Sequence, residues 1–552
     1  MQVSKTEKLL IIFFFAATWV VLAMNAGGPI FSDEFLYIDA GLRNFAEPSY
    51  GNRYFHIYLQ KFFMSLAPTP LQGVKVFWGF LIALTATLIY FNARTFFKEN
   101  SPLHGLLALA FFYSYPLITE YSGEPAVDIT AMAMVTLYIS VYLYALHNPD
   151  KKKIATITLG ALAFIAFKTK ETTIFVNFLL LGFVLDEHGH WDWKALKDLI
   201  KPVLTGLAAG IGLFILLDGL VLGKPFFAIN PATFEAVFKN YNFKPGFFFV
   251  PTSWYREYLL DDILLPFLLF LASGIKLGTE TDARRRLLWV YPLLFVVFVT
   301  WNMLKVTFGF IERFYFPALP VIAVLAPQFL RITWPDSRKK WLSYGLLLVA
   351  AAVLMVILRS ATMTYSAALN FDFAHFLDSI YYPILLSILL AVIIRVRKYH
   401  WAASVIPLFC IAAMLLSPLL YSYKYFFRYS KVQERYNQLL YPFETFKEEL
   451  MFDTADKILV SADLDRSLGM LSDDPNDITG MANFFFDRRI SRENVTMGYS
   501  RPAMQNMLAK KDVDYALLSS ADWKALSEQH EIEAKYQATT DPAGQVVLLI
   551  PQ

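Results

Sequence analysis

The sequence predicts a polytopic helical membrane bundle of about thirteen spans, mostly α, followed by a small C-terminal α/β domain. Three observations predict it. Of the 552 residues, 56% are hydrophobic and only 17% are charged. An average soluble chain carries about a quarter charged residues. The apolar residues come in blocks of about 15 to 20, the length that crosses a hydrocarbon core about 30 Å thick. After about residue 421 the blocks stop and charges recur every few positions.

The predicted spans are roughly 9–24, 73–92, 104–118, 126–146, 154–167, 172–185, 203–222, 263–277, 287–304, 314–330, 341–358, 380–395 and 401–420. Aromatic residues gather near many block ends, as interfacial belts do. Met1 to Lys8 followed by Leu9 to Met24 has a signal-like charge pattern. No convincing small-x-small cleavage site follows, so the segment reads as an uncleaved first span. Lys168, Lys170 and Glu171 interrupt the stretch 154–185. Either two short spans meet there on the outside, or one long helix is broken. The first option keeps the charge pattern consistent.

Orientation follows from Lys and Arg, which favour cytoplasmic loops. With the N-terminus cytoplasmic, the inside loops hold Lys151 to Lys153, the Lys194/Lys197/Lys201 segment, Arg284 to Arg286, Arg338-Lys339-Lys340 and Arg395/Arg397/Lys398. The outside loops are longer and poorer in basic residues. The expectation is a multi-pass protein of the cell (inner or plasma) membrane with its C-terminal domain extracytoplasmic. The division falls at 1–420 for the membrane domain and 421–552 for the soluble one.

Two outside loops are long, 25–72 and 223–262. The first reads as helical pieces lying on the membrane. Phe35, Ile38 and Leu42 are assigned to one helical face, and Ile57, Phe62 and Met64 to another. Long structured outer loops are costly unless they build a site. In the C-terminal part, Lys457 to Ala462, Asp514 to Ser519 and Val546 to Ile550 read as buried strands. Ser500 to Lys510 and Ala521 to Gln529 read as helices.

Several chemistries are excluded. The one cysteine, Cys410, lies in an apolar block and reads as a small buried residue; an intramolecular disulfide or CxxC site is impossible. There is no GxxxxGK[ST] and no credible GxGxxG, so nothing points to ATP or a dinucleotide. The net charge of +3 says little about partners, and no nucleic-acid partner is expected. The histidines are scattered. His56 and His375 fall in outer loops; His188 and His190 lie on the inner side with Asp186, Glu187 and Asp192. A divalent metal is the one cofactor left open. Asn494-Val495-Thr496 fits a glycosylation triplet that is common by chance.

Three charged constellations stand near outer span ends. Asp33-Glu34 follows the first span by eight or nine residues. It is either a capping acidic pair on an outer helix or a general base, which sugar transfer to a hydroxyl requires. Glu120, Glu124 and Asp128 recur every four residues, but Gly123 and Pro125 start a helix at about Pro125. Asp128 then lies in the first turn of an apolar span. It is either a dipole-favoured acid or a functional intramembrane group. Lys168 and Lys170, with Glu171, sit between two apolar runs. They either snorkel to headgroups or meet a lipid-linked phosphate, whose growing charge a fixed cation stabilises. Arg256 and Arg313, the latter in Glu312-Arg313-Phe314-Tyr315-Phe316-Pro317-Ala318-Leu319-Pro320, are weaker candidates of the same kind. Arg53 and Lys305 are unspecific.

In this order and sidedness the constellations resemble the GT-C superfamily, specifically the protein O-mannosyltransferase-like group that includes the bacterial lipid A aminoarabinose transferases. The resemblance covers the spans to about 420, and an outward α/β domain also fits bacterial members. It implies a GT-C fold and a polyprenyl-phosphate-sugar donor. It also implies transfer to a lipid, glycan or protein acceptor with inversion at the anomeric carbon. Asp33-Glu34 matches the family's first-loop acidic pair, whose Asp is the catalytic base. Glu124 and Asp128 match its acidic position at the fourth span. Lys170, in Ala166-Phe167-Lys168-Thr169-Lys170, matches a family lysine, and Arg313 with Tyr315 matches a late Arg-Tyr element. Arg53-Tyr54-Phe55-His56-Ile57 lacks the His-Pro-Pro that many relatives carry, which leaves acceptor and donor sugar open. The competing readings are a transporter or flippase, which should carry its charges near the midplane in two related halves, and a non-catalytic cell-envelope assembly protein.

Overall fold

The structure is a computed structural model. It describes residues 5–25, 32–43, 53–96, 102–114, 118, 126–186, 188–233, 235, 270, 273, 282–305, 312–326, 446, 456–461, 495–498 and 500–552 apart from 529 and 543. The spans expected at 341–358, 380–395 and 401–420 lie outside these residues, as do most of 263–277, Cys410 and His375.

The helical part runs α1 (Lys5–Asn25), α2 (Ser32–Arg43), α3 (Tyr54–Leu66), α4 (Pro70–Phe96), α5 (Pro102–Ser114), α6 (Val127–His147), α7 (Lys152–Phe167), a 3₁₀ segment (Glu171–Phe183), α8 (Trp193–Leu217), α9 (Ala283–Lys305), a 3₁₀ turn (Glu312–Ala318) and α10 (Leu319–Leu325). Three helices are long and apolar enough to cross a membrane by themselves: α4, α6, and α8 with its continuation to Leu222. Lys8–Met24, Glu171–Phe183 and Phe314–Leu325 are shorter apolar helices. The stretch 154–185 is two elements joined by a turn, as the charge pattern favours. The second of them is 3₁₀. A rise of about 2.0 Å per residue lets thirteen such residues reach about 26 Å, where an α-helix would reach about 20 Å.

The core follows from packing of these blocks. Phe77, Trp78, Ile89, Met132, Tyr138, Tyr142, Leu159, Val176, Phe295 and Tyr315 are buried together. Outward-facing apolar side chains are left over. Ile200, Leu204, Leu216 and Leu220 on and after α8, and Leu9, Leu10, Ile12, Phe13, Val20 and Val21 on α1, remain exposed. Apolar surface this extensive needs a non-aqueous neighbour, and the protein is a membrane protein.

Two close approaches fix the layer geometrically. A Cβ on Gly206 would stand 1.9 Å from the Ile157 carbonyl oxygen, and one on Gly160 2.3 Å from that of Val203. Small residues thus let α7 and α8 touch backbone to backbone, as in other membrane helix pairs. Likewise Gly79 admits α1 against α4, where Trp19 Nε1 donates to the Val76 carbonyl at 2.8 Å. At the other end of the layer Arg285 donates to the Phe96 carbonyl at 3.0 Å and lies 3.1 Å from His147 Nε2. It ties the ends of α4 and α6 to the start of α9.

The assignment of Phe62 to one helical face with Ile57 and Met64 is corrected. Ile57 and Met64 are buried, but Phe62 is 55% exposed. Five residues rotate a helix by about 140° from Ile57, whereas seven return it to the same side. On α2, Ile38 is buried.

The C-terminal residues form a five-stranded sheet in the order β2-β1-β3-β5-β4. Its strands are β1 (Ile458–Ser461), β2 (Val495–Gly498), β3 (Tyr515–Ser519), β4 (Tyr536–Thr540) and β5 (Val546–Pro551). β1 pairs in parallel with β2 and β3, and β5 pairs antiparallel with β3 and β4. Helices α11 (Arg501–Ala509), α12 (Ser520–Ser527) and α13 (His530–Glu533) accompany it. All three predicted strands and both predicted helices are present; β2 and β4 are additional. Asp522 knits the strand ends to the helices, accepting from Ser461 at 2.6 Å and Arg501 at 2.9 Å.

Candidate functional site

The first turn of α6, the turn between α7 and the 3₁₀ segment, the start of α3, and the 3₁₀ turn before α10 meet at one place. Their charges pair. Lys170 donates to Asp128 and both are buried. The Lys170 ammonium also lies 4.1 Å from the centre of the Phe314 ring, so the Arg313-Phe314-Tyr315 element meets it through the aromatic residue. Arg53, at the N-cap of α3, donates to Glu171 from both terminal guanidinium nitrogens, at 2.5 and 3.2 Å. The Phe55 backbone N–H donates to the Lys168 carbonyl at 3.2 Å, which fixes the start of α3 against the turn.

Below these pairs, one turn along α3, His56 is buried and its Nδ1 stands 2.7 Å from Thr130 Oγ1 on α6. Tyr37 of α2 packs edge-on to His56 at 5.8 Å and hydrogen-bonds Arg53. Glu34, one turn before Tyr37, is buried. A second buried pair stands beside the first. Tyr58 donates to Asp218 at 2.5 Å, and the Ala228 N–H donates to the other carboxylate oxygen at 2.6 Å. Lys168, fully buried, feels the Asp218 charge.

The electrostatics follow from burial and these partners. Burial pushes Lys168 down to about 8, partly opposed by Asp218. Burial pushes the Glu171 carboxyl up, but the charge and hydrogen bond of Arg53, with the Lys170 charge and a backbone hydrogen bond, together hold the group below the ordinary value. Burial, with the Arg53 charge adding, takes His56 down to about 3, so its ring is neutral.

The predicted residues thus fare differently. Asp128, Lys168, Lys170, Tyr315 and Glu34 are buried around one end of the helix layer. Lys170 meets neither headgroups nor a phosphate alone, because Asp128 supplies a protein counter-charge from 42 residues away. Asp33 lies in the first turn of α2 and Arg313 in the 3₁₀ turn, but their side chains lie outside the described residues. Glu120, Glu124 and Arg256 lie outside them entirely. Arg53, Glu171 and His56 enter the site more centrally than sequence reasoning placed them. Asp218 and Tyr58 were not among the candidates. A lone Asp at the end of the span 203–222 is the signal that could have found the first, since ionisable residues in spans are functional candidates. Among the described residues no group of three or more His, Cys, Asp or Glu side chains could hold a metal.

No family model matches the chain, and no curated protein matches it in sequence. Solved structures do. ArnT from Cupriavidus metallidurans bound to undecaprenyl phosphate matches at 13% identity and a TM-score of 0.54, covering 99% of this chain and 98% of that one. The apo state of the same protein matches equally, over 98% and 97%. The oligosaccharyltransferase AglB from Archaeoglobus fulgidus, with an inhibitory peptide and a dolichol-phosphate, matches at 11% identity and a TM-score of 0.45, over 98% and 74%. Over nearly its whole length this chain therefore shares the fold of ArnT, the fold expected from the resemblance.

Proposed function

We propose that the protein is a membrane glycosyltransferase using a polyprenyl-phosphate-linked sugar at the outer membrane face. The observation that carries this reading is the convergence of two ion pairs, Lys170–Asp128 and Arg53–Glu171, beside the acidic helix α2. Adjacent paired charges form a site that is neutral at rest yet rich in hydrogen-bond donors. Asp128 takes one of the three N–H donors of Lys170, and an anionic headgroup suits the others. The ArnT fold supports the same reading, because ArnT has been solved with undecaprenyl phosphate bound.

In the reaction the acceptor hydroxyl oxygen attacks the anomeric carbon as the bond from that carbon to the phosphate oxygen breaks. A single displacement inverts the carbon. The hydroxyl proton passes to Asp33, with Glu34 beside it. The polyprenyl phosphate leaves with one more negative charge than it had as a diester, and Lys170, Lys168, Arg53, Arg256 and Arg313 are the cations available to stabilise it. Tyr315, Glu120, Glu124 and Asp128 are assigned to substrate binding, as the resemblance implies. The acceptor is a lipid, glycan or protein hydroxyl. We further assign about thirteen spans to residues 1–420, a cytoplasmic N-terminus, and an extracytoplasmic domain to 421–552. Purified protein given labelled polyprenyl-phosphate sugars and a membrane extract as acceptor should transfer label. Transfer should vanish with Asp33→Asn, and absence of transfer from every such donor would overturn the reading.

A further inference from the structure

At the other end of α7 from the ion pairs, the turn that leads into α8 holds two tryptophans in the open. Asp186 accepts from the backbone N–H groups of His188 and His190 at 2.9 and 2.8 Å. The Asp192 N–H donates to the Val184 carbonyl at 2.9 Å, and Gly189 makes the reversal with a φ of +93°. Asp192 then caps α8, accepting from the N–H groups of Lys194 and Ala195 at 2.8 and 3.1 Å. Trp191 and Trp193 flank that cap with ring centres 5.5 Å apart, and they are 44% and 69% exposed. Two large rings held out by a fixed turn suit a boundary that is apolar on one side and wet on the other, where tryptophan settles in bilayers.

Lysines surround them. α7 and α8 run parallel: Gly160 faces Gly206, and Gly210 faces Ala161 and Phe164. The same offset sets Lys151 level with Lys197 and Ile154 level with Ile200, and all four residues are exposed. Lys152 donates to the Phe183 carbonyl at 3.4 Å and feels the Asp198 charge, so the helices are still close at this level. Lys194, Lys197 and Lys201 recur at i, i+3 and i+7 on one face of α8. Beyond them begins the exposed apolar stripe of Leu204, Leu216 and Leu220. Of the exposed acids described here, Asp186 and Asp192 are spent on the turn. Asp150 and Asp198 are left against Lys151, Lys153, Lys194, Lys197 and Lys201. A cationic patch that runs on into a lipid-facing stripe lies at the bilayer surface, and its complement there is an anionic headgroup.

We propose that the starts of α7 and α8 form a binding surface for anionic phospholipid. Lys151, Lys197 and Lys201 hold the headgroup phosphate, Trp191 and Trp193 seat at headgroup level, and Ile154, Ile200 and Leu204 meet the chains. The test uses the purified full chain in neutral detergent, titrated with phosphatidylglycerol or with phosphatidylcholine of the same chains. A lysine beside an anionic surface is worth roughly fivefold in affinity, so the wild type should prefer phosphatidylglycerol by about 10- to 100-fold. Lys151→Gln, Lys197→Gln and Lys201→Gln together should remove at least about tenfold of that preference. Lys457→Gln, Lys510→Gln and Lys524→Gln, at three exposed positions of the C-terminal domain, remove the same charge and should leave it unchanged. In bilayers, the emission lost on Trp191→Phe with Trp193→Phe should be quenched by lipid brominated near the headgroup, and not by lipid brominated at the chain ends.

Equal affinity of the wild type for the two lipids overturns the proposal. So does a triple variant of α7 and α8 that keeps the wild-type preference, or a control variant that loses as much. Emission quenched only from the chain ends would put the rings in the bilayer core and overturn it. Emission quenched by neither lipid would put them in water, make a soluble acidic partner the occupant, and overturn it as well.

Discussion

Lys170 reaches back from the turn after α7 to Asp128 in the first turn of α6, and the two form a buried ion pair across 42 residues of sequence. Removing one partner of such a pair leaves the other charge buried, at a cost of about 3–5 kcal/mol; removing both costs far less. Lys170→Met should therefore lower the thermal midpoint in detergent, and Lys170→Met with Asp128→Leu should recover much of the loss. Neither variant should transfer sugar. Recovered transfer in the double variant would make the pair purely structural.

The ion pair shows how far the sequence reaches. Lys170 and Asp128 are both legible, because a charge bordering an apolar run is conspicuous. Their pairing is not, since nothing local says which turn meets which helix end. Arg53 and Glu171, 118 residues apart, are harder still, because an arginine in a polar loop looks like any other. The same physics divides the strands. β1, β3 and β5 lie inside the sheet and show as continuous apolar runs. β2 and β4 are edges, with Val-Thr-Met-Gly and Tyr-Gln-Ala-Thr-Thr, and carry no such run. An edge strand needs only one buried face.

Gly206 offers a test of the helix layer apart from any chemistry. A Cβ there would meet the Ile157 carbonyl oxygen at 1.9 Å, and a backbone atom cannot rotate away. Gly206→Ala must push α7 from α8 and should cost at least about 1–3 kcal/mol. Gly212, with nothing within 4 Å of its Cβ position, should tolerate the same change. Comparing thermal midpoints of the two variants checks the contact.

The buried ring of His56 gives stability a pH dependence. Its folded pKa, about 3, lies below the ordinary value of 6.5, so the unfolded chain binds the extra proton first. The contribution of neutral His56 is fully present above about 6.5 and is lost as pH falls from there towards 3, by up to about 1.4 kcal/mol per pH unit. His56→Gln should flatten this part of the midpoint-against-pH curve. An unchanged slope would mean that other groups carry the acid sensitivity.

Sidedness is open to direct test. Protease added outside intact vesicles of cytoplasm-inside orientation should release a fragment from 421–552, trimmed to the sheet that begins at Ile458. The sheet itself should resist, since β1, β3 and β5 are buried and hydrogen-bonded along their length. Cleavage only after the vesicles are opened would place the domain on the cytoplasmic side and reverse the assignment of every loop.

The base is the sharpest question. Asp33 and Glu34 are neighbours in the first turn of α2, and Glu34 is buried. Successive residues on a helix point about 100° apart, so the two carboxylates cannot serve one proton equally well. Asp33→Asn keeps size and capping ability, and a purely structural Asp33 should lose only tenths to about 1 kcal/mol of stability. A general base cannot survive the change, because the amide takes no proton; transfer should fall about 10²- to 10⁴-fold. Glu34→Gln keeps a buried hydrogen-bonding group of the same shape and should cost transfer less. The assay is initial rate at saturating donor, with donor binding measured separately to show that the fold is intact. The reverse ranking would move the base one residue along α2 without changing the reaction. Near-wild-type rates in both variants would remove the carboxylate-base mechanism from this helix and leave the acids of 120–128 to carry it.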